Sequence, residues 1–348
     1  MTADLLPPIV SICIATFKRA AFIAETIESI MVDLPPCVEV LVVDGASPDD
    51  TPVVIQALQN RFPDLRYFRE SENSGVDRDY DKAVGYARGR YCWLMTDDDL
   101  LVAGAVARVL ACIDDTVDLV VVNAEVRNAD LSVQLRACQL NPYGRGEYTS
   151  NQLDELIAET GAYLSFIGAV VIRRDLWLAR KREPYYGTLF IHMGVIFQEA
   201  LTGSTRIVRE PSIVIRYGNA MWSARGFEIW LFKWPGLIWS FAHIPRSARQ
   251  AVIAEAPYRS SKQLLWYRAI GVFSRAEFDA FLRPRLSGPS LLIARTLLRL
   301  SSKAANALCG CYFLLRPEKH AKMQLYDLAR ASTSTAISRA VARLKHSA

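Results

Sequence analysis

Residues 91–101 read YCWLMTDDDLL, five apolar residues that stop abruptly at Thr96-Asp97-Asp98-Asp99. A short uninterrupted apolar run suits a strand buried on both faces, as in a parallel sheet. Similar runs stand at Pro8–Ala15 (PIVSICIA) and Val38–Val43 (VEVLVV), with a shorter one at Leu65–Arg69. Between them lie segments with helical spacing: Ala20–Met31, with Ala21, Ile23, Ile27 and Ile30 apolar, then Pro52–Arg61 and Arg78–Ala87. Gly89 follows the last of these as an αL cap. Strands alternating with helices in this way predict an α/β fold, a mostly parallel sheet flanked by helices.

In such sheets ligands bind outside the carboxyl ends of the strands. The residues there are Thr16–Arg19, Asp44–Asp50, Glu72–Gly75 and Thr96–Asp99. Three adjacent aspartates ending a buried strand repel one another, and a divalent cation would neutralise them. The alternative is a solvated turn, since Asp favours turns and helix N-caps. A second acidic strand end at Asp44 favours the cation. The first strand runs into ATFKRA without a G-x-G-x-x-G fingerprint, which argues against a nicotinamide dinucleotide. Asp44 accepts hydrogen bonds only, so it suits an imino N–H or a hydroxyl donor. The other role open to it is a helix N-cap, although Ser47 and Asp49 lie nearer the next helix. Gly45 is read as allowing close backbone approach or a positive φ.

The 348 residues leave room for about two domains. At 51% hydrophobic and 22% charged, the chain sits near the globular averages of roughly 45–50% and 25%, which excludes disorder, collagen-like repeats and coiled coils. The net charge of +5 hides an uneven split: residues 281–348 hold 12 Lys/Arg against 2 Asp/Glu, and the rest of the chain is net acidic. Seven cysteines, odd in number and mostly in apolar contexts, read as reduced thiols rather than a disulfide framework. Cys309 and Cys311 have no Cys/His cluster beside them to complete a zinc site. The leading MTADLLPPIV does not read as a signal peptide. No uncharged run reaches the ~18 residues of a spanning helix. Leu231–Ile244 is interrupted by Lys233, and Leu291–Leu315 by Arg295, Arg299 and Lys303. The expectation is a cytoplasmic protein that touches a membrane without crossing it.

The runs VSICIATFKRAAFIAETIESI, VEVLVVDGASPDDT and ENSGVDRDYDKAVGYARGRYCWLMTDDDLL together resemble the nucleotide-sugar domain of inverting family 2 glycosyltransferases, which have the GT-A fold. The YCWLMTDDD phrasing is most similar to the abequosyltransferase-type enzymes of O-antigen synthesis. The likeness covers about Ile9–Val109 well. It implies nucleotide contacts at Thr16 and Arg19, with a strand-end cap as the alternative for Thr16, and a base or ribose contact at Asp44 with Gly45 beside it. Asn73 and Gly75 match the family's N-x-G turn, from which Arg78 and Lys82 are placed to reach the diphosphate. Each of those two cations has a solvated helix face as its alternative. The triplet matches the family's D-x-D-D motif with Thr96 in the first position. Asp98 then maps to the metal ligand for Mg²⁺ or Mn²⁺, Asp99 stands beside it as a second, and Asp97 is placed to take over the ribose contact.

Towards the acceptor, Asp118–Val126 reads as a strand and Tyr163–Ile172 resembles the family's inner strand, with Gly168 leaving space for a sugar. Leu189–Leu201 reads as a helix. Where the family has a Glu-Asp pair supplying the catalytic base, this chain has His192-Met193, so His192 is the first candidate base. Glu199, two helical turns further on, is the second. A neutral imidazole with a pKa near ~6.5 accepts a proton at neutral pH, while a packed helix histidine is the alternative. Arg216, with Asn219 and Trp222, resembles the loop that folds over the donor diphosphate, with a plain surface arginine as its alternative.

These readings place a GT-A domain at residues 1–222, its nucleotide-sugar half at about 8–110 and its acceptor half at 111–222. A helical extension follows at 223–348. Its aromatic run from Trp222 to Trp239 is open to two readings, an acceptor or lipid surface and a packed core. Over Ser290–Ala305, Arg295, Arg299 and Lys303 form a basic stripe opposite Leu291, Leu297 and Leu298, the form of an interfacial helix on anionic lipid, with a solvated helix face packing on the catalytic domain as the alternative. The implied partners are a nucleotide-sugar donor and a saccharide acceptor on a polyprenyl diphosphate, with no nucleic acid. A sugar nucleotidyltransferase and a catalytically silent sugar-nucleotide-binding partner are the rival readings.

Overall fold

The computed structural model describes residues 7–315 and 321–346, so most of the MTADLLPPIV stretch lies outside the described residues. Its strands are β1 (Val10–Thr16), β2 (Val38–Asp44), β3 (Arg66–Arg69), β4 (Tyr91–Met95), β5 (Leu100–Leu101), β6 (Val117–Arg127), β7 (Gln134–Arg136), β8 (Glu147–Tyr148), β9 (Val170–Arg173) and β10 (Ser204–Arg216). The chain divides into two compact units. The first comprises the residues up to Val126, then Ala137–Arg216 and Phe241–Val252; the second comprises Arg127–Arg136, Tyr217–Ser240 and the residues from Ile253 on. A single boundary at residue 222 therefore becomes an interleaved one.

In the first unit the strand order is β3-β2-β1-β4-β9-β6-β10-β5. Every residue of β1 and β4 is buried, as their unbroken apolar sequences require. The pairs β1–β2, β1–β4 and β2–β3 are parallel, with Thr16 opposite Asp44 and Asp44 opposite Arg69. From β9 onward the pairing turns antiparallel: Tyr91 faces Arg173 and Leu119 faces Ile172. The mostly parallel sheet expected from residues 8–95 is thus one half of a mixed sheet.

Helices α1 (Ile23–Met31), α2 (Thr51–Arg61) and α3 (Val76–Tyr86) follow the first three strands. The turn into α3 is set by Asn73, whose Oδ1 accepts the Gly75 N–H at 2.9 Å, and by Gly75 itself at φ +88°. Gly89 is not the αL cap of this helix, which ends at an extended Ala87. A Cβ on Gly89 would lie 2.6 Å from the Ser11 backbone nitrogen, so close strand approach demands this glycine.

Two expected elements are shorter. Tyr163–Ile172 opens with two 3₁₀ turns, and only Val170–Arg173 is strand. Trp93 donates its indole N–H to the Gly168 carbonyl at 2.9 Å, and a Cβ there would meet the Phe166 ring, so Gly168 packs inside the protein. The Leu189–Leu201 helix is confined to Ile191–Phe197.

The second unit is mainly helical. Its core holds Phe227, Leu264, Phe273, Phe278 and Leu282, with Phe227 stacked on Phe273 at 5.1 Å. Phe227 and Trp234 of the aromatic run are buried, which favours the packed core, while Trp222 is exposed. The basic stripe expected over Ser290–Ala305 is divided. One helix, Gly288–Arg299, carries Arg295 and Arg299, and the next, Ser302–Leu314, carries Lys303. Leu300 between them is extended, at ψ 133°. Leu291, Leu297 and Leu298 pack on the unit's core instead of facing outward. All seven cysteines are free, and among the described residues no helix is long and apolar enough to cross a membrane.

Candidate functional site

The carboxyl ends of β1, β2 and β4 carry the polar groups that the sequence singled out. Asp44 is fully buried, and both of its oxygens are engaged: Oδ1 accepts the Ser47 N–H at 2.8 Å and Oδ2 accepts the Tyr67 hydroxyl at 2.7 Å. Burial, then this hydrogen bond to a carboxylate, pushes the Tyr67 phenol well up. The Ser47 hydroxyl accepts the Lys18 N–H and Thr51 accepts the Arg19 N–H, which ties the loop after β1 to the loop after β2. Gly45 is needed for close approach: a Cβ there would sit 2.7 Å from the Asp79 carboxylate.

The aspartate triplet is held from two sides. Arg19 reaches across from β1, with Nε 3.3 Å from Asp97 and a terminal nitrogen 3.3 Å from Asp98. From β10, the Arg216 N–H donates to Asp99 at 2.7 Å, its Nε donates to the Asp98 carbonyl at 2.9 Å, and its guanidinium pairs with Glu25. Both arginines lie over the Phe22 ring, 5.7 and 5.4 Å from its centroid. Thr96 donates its hydroxyl to Asp99. Burial lifts Asp97 to about 7, with the Asp98 charge adding to the rise and Arg19 opposing it. Burial, followed by the same Asp98 charge, raises Asp99 well above the carboxylate range. Arg216, expected over the diphosphate, is a clamp on the triplet in this structure.

Arg78 and Lys82 line a cavity of about 350 Å³ with Glu72, Ser74, Asp81 and Tyr186. Arg78 stacks on the Tyr186 ring at 4.2 Å. Lys82 binds Glu70 at 2.6 Å and the Ser74 hydroxyl at 3.1 Å. The two cations thus share one cavity, each with a partner from the protein itself.

His192 is 1% exposed. Its Nε2 lies 2.7 Å from the Leu164 carbonyl, which makes Nε2 the donor and leaves Nδ1 as a buried acceptor without a hydrogen bond. Burial drives its pKa down to about 4. A shielded, weakly basic imidazole does not suit proton abstraction from a bound sugar, so the packed-histidine alternative describes it better. Glu199, expected on the same helical face, is exposed and lies two residues past the end of the helix.

A pH dependence follows. Neutral His192 is stable in the fold, while an unfolded histidine titrates near ~6.5. Its folded pKa is the lower one, so its share of stability is complete above about 6.5 and is lost as pH falls toward about 4. Relative to a His192→Asn variant, the native chain should lose about 3 kcal/mol across that window, from a shift of 1.4 kcal/mol per pH unit. Urea titrations of both proteins at a series of pH values measure it; parallel curves would remove this account.

Sequence reasoning missed several supporting residues. Asp77 accepts the Leu189 and Ile191 N–H groups at 2.9 and 3.1 Å and so caps the His192 helix from 112–114 positions away. Tyr80 donates its hydroxyl to the Met95 carbonyl at 3.0 Å, beneath the triplet. Tyr67 carried one legible signal, a polar tip on the strand that pairs with Asp44.

A GT-A site implies a divalent cation. Asp97 and Asp98 supply hard carboxylate oxygens, and Mg²⁺ or Mn²⁺ is commonly held by one or two carboxylates with substrate phosphates and water completing the shell. Among the described residues no group of three His, Cys, Asp or Glu side chains is arranged to hold a metal. The donors fit a cation shared with a diphosphate rather than one caged by protein alone.

The sequence model described as Glycosyl transferase family 2 matches residues 11–167. Abequosyltransferase RfbV of Salmonella typhimurium is 26% identical over 63% of this chain and 69% of its own length. The GalNAc(5)-diNAcBac-PP-undecaprenol beta-1,3-glucosyltransferase of Campylobacter jejuni is 29% identical over 30% of this chain and 34% of its own. Among solved structures, S. aureus TarS 1-349 in complex with UDP aligns over 96% of this chain and 90% of its own, with a TM-score of 0.51 at 17% identity. The mannosyltransferase PcManGT of Pyrobaculum calidifontis, in complex with GDP-Man and Mn²⁺, aligns over 94% and 89%, with a TM-score of 0.54 at 19% identity. Against these relatives the nucleotidyltransferase and silent-partner readings lose their ground. With the strand-end carboxylates of the first unit, the likeness makes the chain a glycosyltransferase of the GT-A fold, similar over residues 11–167 to glycosyl transferase family 2.

Proposed function

We propose that the chain moves a sugar from a nucleotide-sugar donor to a saccharide acceptor carried on a polyprenyl diphosphate, at the cytoplasmic face of a bacterial membrane, in O-antigen or other surface polysaccharide synthesis. The reaction is a single inverting displacement. The acceptor hydroxyl oxygen bonds to the anomeric carbon, the bond to the nucleoside diphosphate breaks, and the hydroxyl proton passes to a base. The observation that carries this reading is the juxtaposition of Asp44 with the clamped triplet at the carboxyl edge of β1, β2 and β4.

Asp98, with Asp97 or Asp99 beside it, would hold Mg²⁺ or Mn²⁺, which supplies Lewis-acid stabilisation of the departing diphosphate. Asp44 orients the Tyr67 hydroxyl and the Ser47 N–H beneath the nucleotide. Thr16, Arg19, Gly45, Asn73 and Gly75 shape the same edge, and Arg78 and Lys82 offer phosphate contacts from their cavity. Of the two predicted bases, Glu199 is the one open to solvent. The Campylobacter relative, named for an undecaprenol-linked substrate, supports the lipid-linked acceptor.

Incubation with UDP-, GDP-, CDP- and dTDP-sugars plus Mn²⁺, alongside a melting screen with the nucleoside diphosphates, tests the reading. A ligand at a hundred times its Kd stabilises by about 2.7 kcal/mol. If no nucleotide or nucleotide sugar raises the melting temperature, with or without the metal, the proposal fails.

A further inference from the structure

Helix Ser302–Leu314 is amphipathic the wrong way round for a surface helix of a soluble unit. Its inward side is Ala305, Asn306, Cys309 and Gly310. Small side chains and one amide make that contact, and Asn306 is fully satisfied: it donates to the Ala269 and Leu328 carbonyls and accepts from Thr335. The outward side is Ala304, Leu308, Cys311, Tyr312 and Leu315, spaced so that they share one face. Leu308 is 57% exposed, Tyr312 50% and Leu315 86%. The preceding helix, Gly288–Arg299, adds exposed Leu292 and Ile293. A contiguous apolar face of this kind marks an interaction site.

Charge identifies what covers it. Arg295, Arg299 and Lys303 are exposed on these same two helices, both of which pack on helix Ser261–Ala269. Residues 281–348 hold 12 Lys/Arg against 2 Asp/Glu. A second copy seated on this face would set like charge against like. An anionic lipid surface reverses that sign, accepts leucines below the headgroups and places a tyrosine at headgroup level.

We infer that the outward face of Ser302–Leu314 is a docking surface for an anionic bilayer, with Leu308, Tyr312 and Leu315 inserted at the interface and Arg295, Arg299 and Lys303 supplying the attraction. This differs from the stripe expected over Ser290–Ala305, because Leu291, Leu297 and Leu298 are spent on the unit's own core. It deepens the proposed use of a lipid-linked acceptor, yet its test needs no turnover.

The full-length protein is sedimented with phosphatidylcholine vesicles with and without phosphatidylglycerol. Binding is expected only with phosphatidylglycerol. Changing Arg295, Arg299 and Lys303 to Gln should weaken it about a hundredfold, at about fivefold per charge. Leu308→Glu with Leu315→Glu should weaken it by at least about tenfold. Melting temperature and the nucleotide-induced shift should be unchanged in both variants. The inference is overturned if the native chain ignores phosphatidylglycerol, if it binds both vesicles equally, or if the variants bind as it does. A dimer in light scattering that Leu308→Glu dissolves would assign the face to a second copy instead. Loss of the nucleotide shift in the native chain would strike the proposed function and leave the vesicle result standing.

Discussion

Asp98→Asn should abolish transfer, by at least about a thousandfold, while leaving the melting temperature unchanged or higher. The loss follows from replacing a hard anionic donor with a neutral amide where several kcal/mol of leaving-group stabilisation are required, at 1.4 kcal/mol per tenfold in rate. The stability arm follows from the neighbours. Burial is the first cause of the raised pKa of both Asp97 and Asp99, and the Asp98 charge is the second. Removing that charge relieves both, and Arg19 keeps its contact with Asp97. The Arg216 hydrogen bond survives, because it is made to the Asp98 backbone carbonyl. Steady-state rates and a melting curve on the same sample read the two arms. Near-native turnover would sink the assignment, and so would inactivity that comes with unfolding.

Arg19→Gln should act in opposite directions on metal and on donor. In this structure the Arg19 guanidinium neutralises the two carboxylates that a divalent cation would use. Close to a protein surface, charges about 4 Å apart interact by about 4 kcal/mol. Even a modest part of that repulsion, lifted by the neutral amide, should tighten Mn²⁺ binding without nucleotide by about tenfold, read from the electron paramagnetic resonance of free Mn²⁺. Transfer should fall at the same time, because the nucleotide contact proposed for Arg19 is lost. Unchanged or weaker Mn²⁺ binding would show that Arg19 and the metal do not compete.

Much of the first unit was legible because its strands are buried on both faces. Tyr91–Met95 was read to the residue, and β1 and β2 to within two, since unbroken apolar runs admit no other short element. The carboxylates that end β2 and β4 were legible for the same reason: an acidic residue straight after such a run marks the sheet edge. What failed depended on distant partners. Nothing near Asp77 announces that its carboxylate caps a helix more than a hundred residues away. His192 was read by alignment with a family position, and only the fold reveals the Leu164 carbonyl that claims its Nε2. Arg216 looked free for phosphate because neither Glu25 nor Asp99 is near it in sequence. The break at Leu300 was more accessible, since Ser301 and Ser302 have the chemistry of a helix start.

The interleaving of the two units bears on how the chain is made. The first unit takes its last segment, Phe241–Val252, after the chain has already visited the second. That segment's helix, Arg246–Val252, packs on helix Leu153–Thr160. On the ribosome strands β1–β4 emerge early, but the unit they belong to cannot close until residue 252 has cleared the exit tunnel. At about 5–20 residues per second, the interval from residue 95 is on the order of ten seconds. Until then helix Leu153–Thr160 lacks this packing partner, which leaves the first unit incomplete during that stretch of synthesis. It also means that no single cut yields either unit whole, so fusions and exchanges between relatives must carry residues 127–252 as one piece.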